Sequence, residues 1–352
     1  MALVIIAILQ HWNTSQYALT PGDATPVAPL VQIHGLQTNP HRDKILLTDV
    51  YLTSLSAWQW LVMHLQSHVE FVSASQLVEP GVPPDELGPQ GFLQMSDSKR
   101  AAEAAALREL GWRLRAIPSG AVVTGVVAPS PARSARVHVA DQIVSVNGAA
   151  VRTTCALVGA VHELAPGTTV RLGVERAHIS AKGVITMGAP RTLVLRAARA
   201  PSGLGPSTCA GVRGPARSWL GLALEDGVRY NYPGTISIDT SNIGGPSAGL
   251  AMTLTLIDRL SAGSLTGHRV VAATGTIDAA GQVGDVGGVA EKTVAVERAG
   301  ATIFFVPTVE VATARHVAGA GLRVIGVSTL AQALGDLRRL GGDAPVALTT
   351  PH

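Results

Sequence analysis

The apolar and polar positions of this chain follow two regimes. In KILLTDVYLTSLSAWQWLVMHL (44–65) alternation gives way to a continuous apolar run, which predicts a strand followed by a helix. Residues 20–45, rich in Pro, Thr and His, read as irregular or extended chain, and PGVPPDELGPQG (80–91) reads as a Pro/Gly loop. SDSKRAAEAAALRELGW (96–112) predicts a helix, with a Ser/Asp start, an Ala-rich body and Gly111 at its stop. Two β-rich runs then flank a Ser-Pro stretch within 121–151, and DQIVSVNGAAV reads as strand, Asn-Gly turn, strand. TTCALVGAVHEL (153–164) predicts a short helix and TTVRLGVERA (168–177) a strand. Residues 198–216 are rich in Gly, Pro and Ser and read as a linker or inserted loop.

Beyond that stretch helices and strands alternate. TISID (235–239) is a strand, and SAGLAMTLTLIDRLSAG (247–263) a helix with a stripe at Leu250, Leu254, Ile257 and Leu260. RVVAATG, TIFFVP and LRVIGV follow as strands; GVAEKTVAVERAG, TVEVATARHVAGAG and TLAQALGDLRRLGG follow as helices. This is an α/β arrangement whose glycines sit in the loops. No internal repeat is present.

Composition narrows the function classes. The chain has 352 residues, so two or three domains are expected; 47% are hydrophobic and 14% charged, which argues for packed cores and against a mainly disordered protein. A net charge of +3 without a basic stripe interleaved with aromatics argues against nucleic-acid binding. Cys155 and Cys209 are too few and too far apart for a metal site; one disulfide and two separate thiols both remain open. At the start, ALVIIAIL (2–9) is too short to span a membrane, for which ~20 apolar residues are needed. As it stands it reads as a buried strand or a weak signal-like segment; as the end of a longer helix it reads as a membrane anchor, with Trp12 and Tyr17 at the interface.

The chemistry centres on GGPSAG (244–249), which has four readings. Ser247 as a helix cap is the plainest. A phosphate cradle would need GxxxxGK[ST], which occurs nowhere, so no ATPase motor is expected. Gly245-Pro246-Ser247-Ala248-Gly249 matches the GxSxG nucleophile elbow, for which His268 or His316 would have to serve as base. The fourth reading is a Ser–Lys dyad. A lysine acts as a general base only when neutral, which calls for burial among small and apolar residues. Of the lysines at 44, 99, 182 and 292, Lys292 has that setting, in VGGVAEKTVAV at the first turn of a predicted helix.

On these residues the C-terminal part resembles the proteolytic domain of Lon-type peptidases. The resemblance runs over about residues 210–340 and is carried by GGPSAGLAMTLTLIDRL and ATGTIDAAGQVGDVGGVAEKTVAVERAGATIFFVP. It implies Ser247 as nucleophile, Lys292 as base and Thr274 as the group orienting the lysine amine. Backbone N–H groups of Ser247 and Ala248 would hold the oxyanion, Pro246 having none. The best-known Lon motif has an acidic residue three before the serine; here that position is Gly244, as in the GGPS branch of the family.

VADQIVSVNG (139–148) resembles the core segment of a PDZ domain, with Ala140 in place of the usual Gly. PDZ domains bind an extended peptide as an added strand. The resemblance implies Gly120, Ala121, Val122 and Val123 as the backbone donors and the 153–164 helix as the other wall. The order of parts resembles bacterial membrane-anchored PDZ–Lon-like peptidases, whose domains lie outside the cytoplasm.

The expected fold class is α/β (α+β) multidomain, a β-rich PDZ domain followed by a Lon-type domain of ribosomal-S5-like fold. The expected segments are an apolar start (1–20), a family-specific region (21–102), the PDZ-like domain (103–200), a linker (201–215), the proteolytic domain (216–343) and a tail (344–352). The expected activity is ATP-independent endopeptidase action on unfolded or flexible chains, with no cofactor and no metal. Peptide termini or strands would dock on the PDZ domain, the chain would form homo-oligomers, and its start would associate with a membrane. The alternatives are a catalytically silent PDZ adaptor and a Ser-His-Asp hydrolase.

Overall fold

A computed structural model describes residues 8–40, 43–66, 68–78, 80–202, 204 and 208–349. Most of the apolar run 2–9 therefore lies outside the described residues. The fold is mixed α/β, in two compact units. The larger comprises residues 1–77, 94–114 and 232–352; the smaller comprises 78–93 and 115–231.

The larger unit is built on a six-stranded sheet. Its order is Arg323–Val327, Ile303–Pro307, Val271–Ala273, Ile45–Ser56, Asn13–Pro26, Glu70–Ser73. The first four run parallel and the last two pair antiparallel. Successive side chains of a strand point to opposite faces. Ile45, Leu47, Val271, Ala273, Ile303 and Phe305 enter one core with the helices Gly249–Leu260 and Leu330–Arg339. Leu46, Ala272, Phe304 and Val306 enter the other, with Val289–Arg298 and Val311–Val317. Helices on both faces explain why TIFFVP is apolar without alternation.

The smaller unit is an antiparallel sheet in the order Leu222–Tyr230, Ala116–Val126, Gln142–Val146, Thr169–Ile179, Ile185–Arg196. The Asn-Gly turn forms as expected, with Asn147 at φ +49° and Gly148 at φ +85° between Gln142–Val146 and Ala149–Ala150. The helix Thr154–His162 starts at Thr153, whose hydroxyl accepts the Ala156 N–H at 3.3 Å.

Three expectations change. The linear succession of segments gives way to an insertion. Residues 13–26 and 45–56, assigned to separate N-terminal segments, are strands of the larger unit's sheet, because Val271 and Ala272 pair with Ile45 and Leu46. Residues 216–231, assigned to the proteolytic domain, belong to the smaller unit, where Leu222–Tyr230 pairs with Ala116–Val126. The helix expected at 96–112 spans Leu87–Glu109 and begins inside the expected Pro/Gly loop. Pro89 falls in its first turn, where backbone N–H groups have no helical partner and proline is tolerated.

Candidate active site

Ser247 sits on the loop that leads into Gly249–Leu260, a helix buried along its whole length. Gly245, at φ +87°, takes the left-handed turn of that loop at no steric cost. At Gly249 a Cβ would lie 3.0 Å from the Ile277 backbone nitrogen and from Ser98 Oγ, so the helix start packs closer than a larger residue permits. The helix begins at Ala248 without a side-chain cap, so the Ser247 hydroxyl is not used for capping. Neighbouring groups fix the loop. Ser98 Oγ donates to the Pro246 carbonyl at 3.0 Å, and the Ser247 carbonyl accepts from the Gly275 N–H at 2.9 Å and from Thr274 Oγ1 at 3.3 Å. Among the described residues, the N–H groups of Ser247 and Ala248 have no acceptor.

Lys292 comes from the opposite face of the sheet, at the end of the first turn of Val289–Arg298, and is 2% exposed. Burial lowers its pKa from the ordinary 10.5 to about 8; Glu310, Asp49 and Glu291 oppose the shift through their charges. Ser247 and Lys292 line one cavity of about 280 Å³ with Asp49, Val50, Tyr51 and the 241–244 turn. No hydrogen bond joins Ser247 Oγ to the amine here; such contacts often tighten only when substrate is present. Among the described residues no histidine lines the cavity. His268 lies 3.8 Å from Asp43 with its side chain 81% exposed, and His316 is exposed. No group of metal-ligating side chains occurs among the described residues.

Thr274 is fully buried beside this loop, and its hydroxyl donates to the Ser247 carbonyl. The hydrogen bond in this structure thus positions the nucleophile's backbone rather than the lysine amine. Asp49, Val50 and Tyr51 were missed by the motif reading because they stand on a strand some 200 positions away. One signal was available: Asp49 is the sole charged residue of Ile45–Ser56.

In the smaller unit the expected peptide-binding edge is not free. Gly120, Ala121, Val122 and Val123 pair on one side with Gly227, Asp226, Glu225 and Leu224. On the other side, Ala121 and Val122 pair with Ile143 and Gln142, and the Val123 N–H donates to Asp141. An interior strand has no backbone donors left for a peptide. The open strand is Leu222–Tyr230, and a groove of about 400 Å³ runs between its start and Thr154–His162. Leu157, Val158 and Val161 line the helix wall; Trp219, Leu220, Gly221, Leu222 and Leu224 line the strand wall. Asp226 Oδ1 accepts the Thr154 N–H and hydroxyl at 2.6 and 2.7 Å, tying the helix start to the strand. Cys155 and Cys209 form a disulfide that fastens the 198–216 stretch to the same helix.

Comparison with known proteins agrees with this division. Residues 240–334 match the family of the Lon protease (S16) C-terminal proteolytic domain, and residues 108–182 match the PDZ domain family. No curated protein matches the chain. Among solved structures, the PDZ domain of an SdrC-like protein from Listeria monocytogenes is 16% identical; the match covers 30% of this chain and 87% of that one, with a TM-score of 0.22. The chain thus carries a PDZ domain and a Lon-type proteolytic domain, the combination of a PDZ–Lon-type peptidase.

Proposed function

We propose that the protein is an ATP-independent serine endopeptidase in which Ser247 is the nucleophile and Lys292 the general base. The observation that carries this reading is the shared cavity of an uncapped, unpaired serine hydroxyl and a buried lysine. Neutral Lys292 takes the Ser247 proton as Oγ attacks the peptide carbonyl. The developing oxyanion is held by the free N–H groups of Ser247 and Ala248 at the helix start. As the tetrahedral intermediate collapses, the C–N bond breaks and the Lys292 ammonium protonates the leaving amine. Water, deprotonated by Lys292, then hydrolyses the acyl-enzyme. Thr274 serves the step by fixing the Ser247 backbone, and its hydroxyl oxygen retains lone pairs that can accept from the amine.

The groove between Leu222–Tyr230 and Thr154–His162 is the proposed peptide-docking site, in place of the 120–123 strand. Its apolar walls suit the apolar side chains of an unfolded or partly cleaved substrate, added as a strand. The Cys155–Cys209 disulfide supports an oxidising, extracytoplasmic setting. Among the described residues no helix is long and apolar enough to cross a membrane, so membrane association rests on the 2–9 run alone.

Hydrolysis of unfolded casein by the wild type, Ser247→Ala and Lys292→Ala tests the reading. Each variant loses at least about 10⁴-fold in kcat/KM, since nucleophile and base act as a unit. ATP and Mg²⁺ change nothing. Survival of activity in Lys292→Ala together with its loss in His268→Ala or His316→Ala would transfer the reaction to a histidine.

A further inference from the structure

The cavity wall opposite the motif residues carries a carboxylate that the mechanism above does not use. Asp49 stands on Ile45–Ser56, half-buried, and among the described residues is the sole acidic side chain lining the cavity that holds Ser247 and Lys292. Its position is fixed rather than incidental. Pairing between Asn13–Pro26 and Ile45–Ser56 slips between Pro21 and Ala24, and Asp49 Oδ1 fills that irregularity by accepting the Asp23 N–H at 2.8 Å. Tyr51, which also lines the cavity, donates its hydroxyl to Asp23 Oδ2 at 2.7 Å. One carboxylate oxygen is thereby held by the strand pair, and the group remains at the cavity wall.

The other charges acting on Lys292 are placed differently. Glu310, on the turn Thr308–Glu310, has Oε1 engaged by the Val286 N–H at 2.8 Å. Glu291 is on the lysine's own helix and 3% exposed; His68 and Glu70 act on it in turn. Neither glutamate lines the cavity with Ser247. Asp49 alone shares the space in which the proton moves.

We propose that Asp49 is a positioning residue of the hydrolytic site, whose carboxylate holds and stabilises the Lys292 ammonium formed when Ser247 gives up its proton. The proton passes from Oγ to Nζ while the Oγ–C bond forms and the carbonyl electron pair moves to oxygen. At that moment a positive charge appears in a buried site, and the carboxylate on the described cavity wall is Asp49. The same charge favours the ammonium of the resting enzyme, so Asp49 helps the transition state and raises the pH at which the base becomes neutral. The proposal rests on the Ser–Lys reading.

The test is the pH profile of kcat/KM, and of kcat, for wild type, Asp49→Asn, Asp49→Glu and Lys292→Met, all as the full chain. Asparagine keeps an acceptor for the Asp23 N–H, so the strand pair is preserved, and far-UV circular dichroism checks this. The expected result for Asp49→Asn is a plateau kcat about ten- to hundredfold lower and an inflection moved down by about half to one pH unit. Asp49→Glu recovers part of both. An Asp49→Asn profile with its inflection unmoved overturns the proposal, even where kcat falls. A change confined to KM for peptides with basic side chains also overturns it, by making Asp49 a substrate contact. A wild type without an inflection, or an active Lys292→Met, removes the Ser–Lys reading itself and the proposal with it.

Discussion

The two units hold cavities of opposite design. The cavity of the larger unit, about 280 Å³, has a buried amine, a hydroxyl and a carboxylate on its walls. The groove of the smaller unit, about 400 Å³, is walled mainly by Leu157, Val158, Val161, Leu220, Leu222 and Leu224. The first stores electrostatic strain, because Lys292 is buried with no ion pair to a described residue and its charged form is disfavoured there. The second stores none; its gain comes when a ligand covers apolar surface. Stability and function should therefore pull apart in the larger unit and stay uncoupled from charge in the smaller one.

The largest effect that would sharpen this contrast is reduction. The disulfide closes a loop with a sequence separation of 54, and its loss should cost the smaller unit about 4 kcal/mol on the chain-entropy account. Both cysteines of the chain are in that bridge, so the larger unit has nothing to lose. Urea unfolding with and without dithiothreitol should lower the midpoint of the smaller unit's transition and leave the other nearly unmoved. Equal shifts in both transitions would break the contrast.

Next in size is Lys292→Met. The folded pKa of about 8 lies below the ordinary 10.5, so between these values the folded chain binds fewer protons than the unfolded chain. The penalty is complete below about pH 8 and disappears as pH rises through 10.5. At pH 7 it amounts to about 3 kcal/mol, which methionine removes while abolishing hydrolysis. Denaturation at pH 7 and pH 10.5 measures it. A variant no more stable than wild type at pH 7 would mean that the lysine carries no strain.

The smallest of these effects belongs to the groove. Val158→Arg puts a charge among its apolar walls and should weaken binding of a peptide ending in Leu-Val by about tenfold, roughly 1.4 kcal/mol. Calorimetric titration with that peptide reads it, and unchanged affinity would move the docking site elsewhere.

The sequence carried the two halves of this contrast unequally. GGPSAG and GGVAEK are local strings whose glycines, serine and lysine have a chemical reason to stand together, and both stretches deliver their side chains to one cavity. Asp49 was hidden because its strand reaches the cavity through long-range pairing, antiparallel to Asn13–Pro26 and parallel to Val271–Ala273, which leaves no local trace. The 120–123 assignment erred for a related reason. A β-rich run shows that a strand exists and not whether its edges are covered; here the covering strand is Leu222–Tyr230, about a hundred residues later in the chain and beyond the other strands of the sheet. The insertion of the smaller unit was illegible for the same cause, since Ile45–Ser56, which also pairs with Asn13–Pro26, finds its other sheet partner only after residue 270.

The pH dependence of kcat/KM for casein-derived peptide hydrolysis decides whether Lys292 is the base. A buried Lys292 acting as base predicts a rate that rises with pH, bends near pH 8 and then levels, as the neutral amine becomes the dominant form. A single inflection near 10.5 would mark an ordinary exposed lysine, and a bend near 6.5 that survives Lys292→Met would mark a histidine base; either result would contradict the dyad.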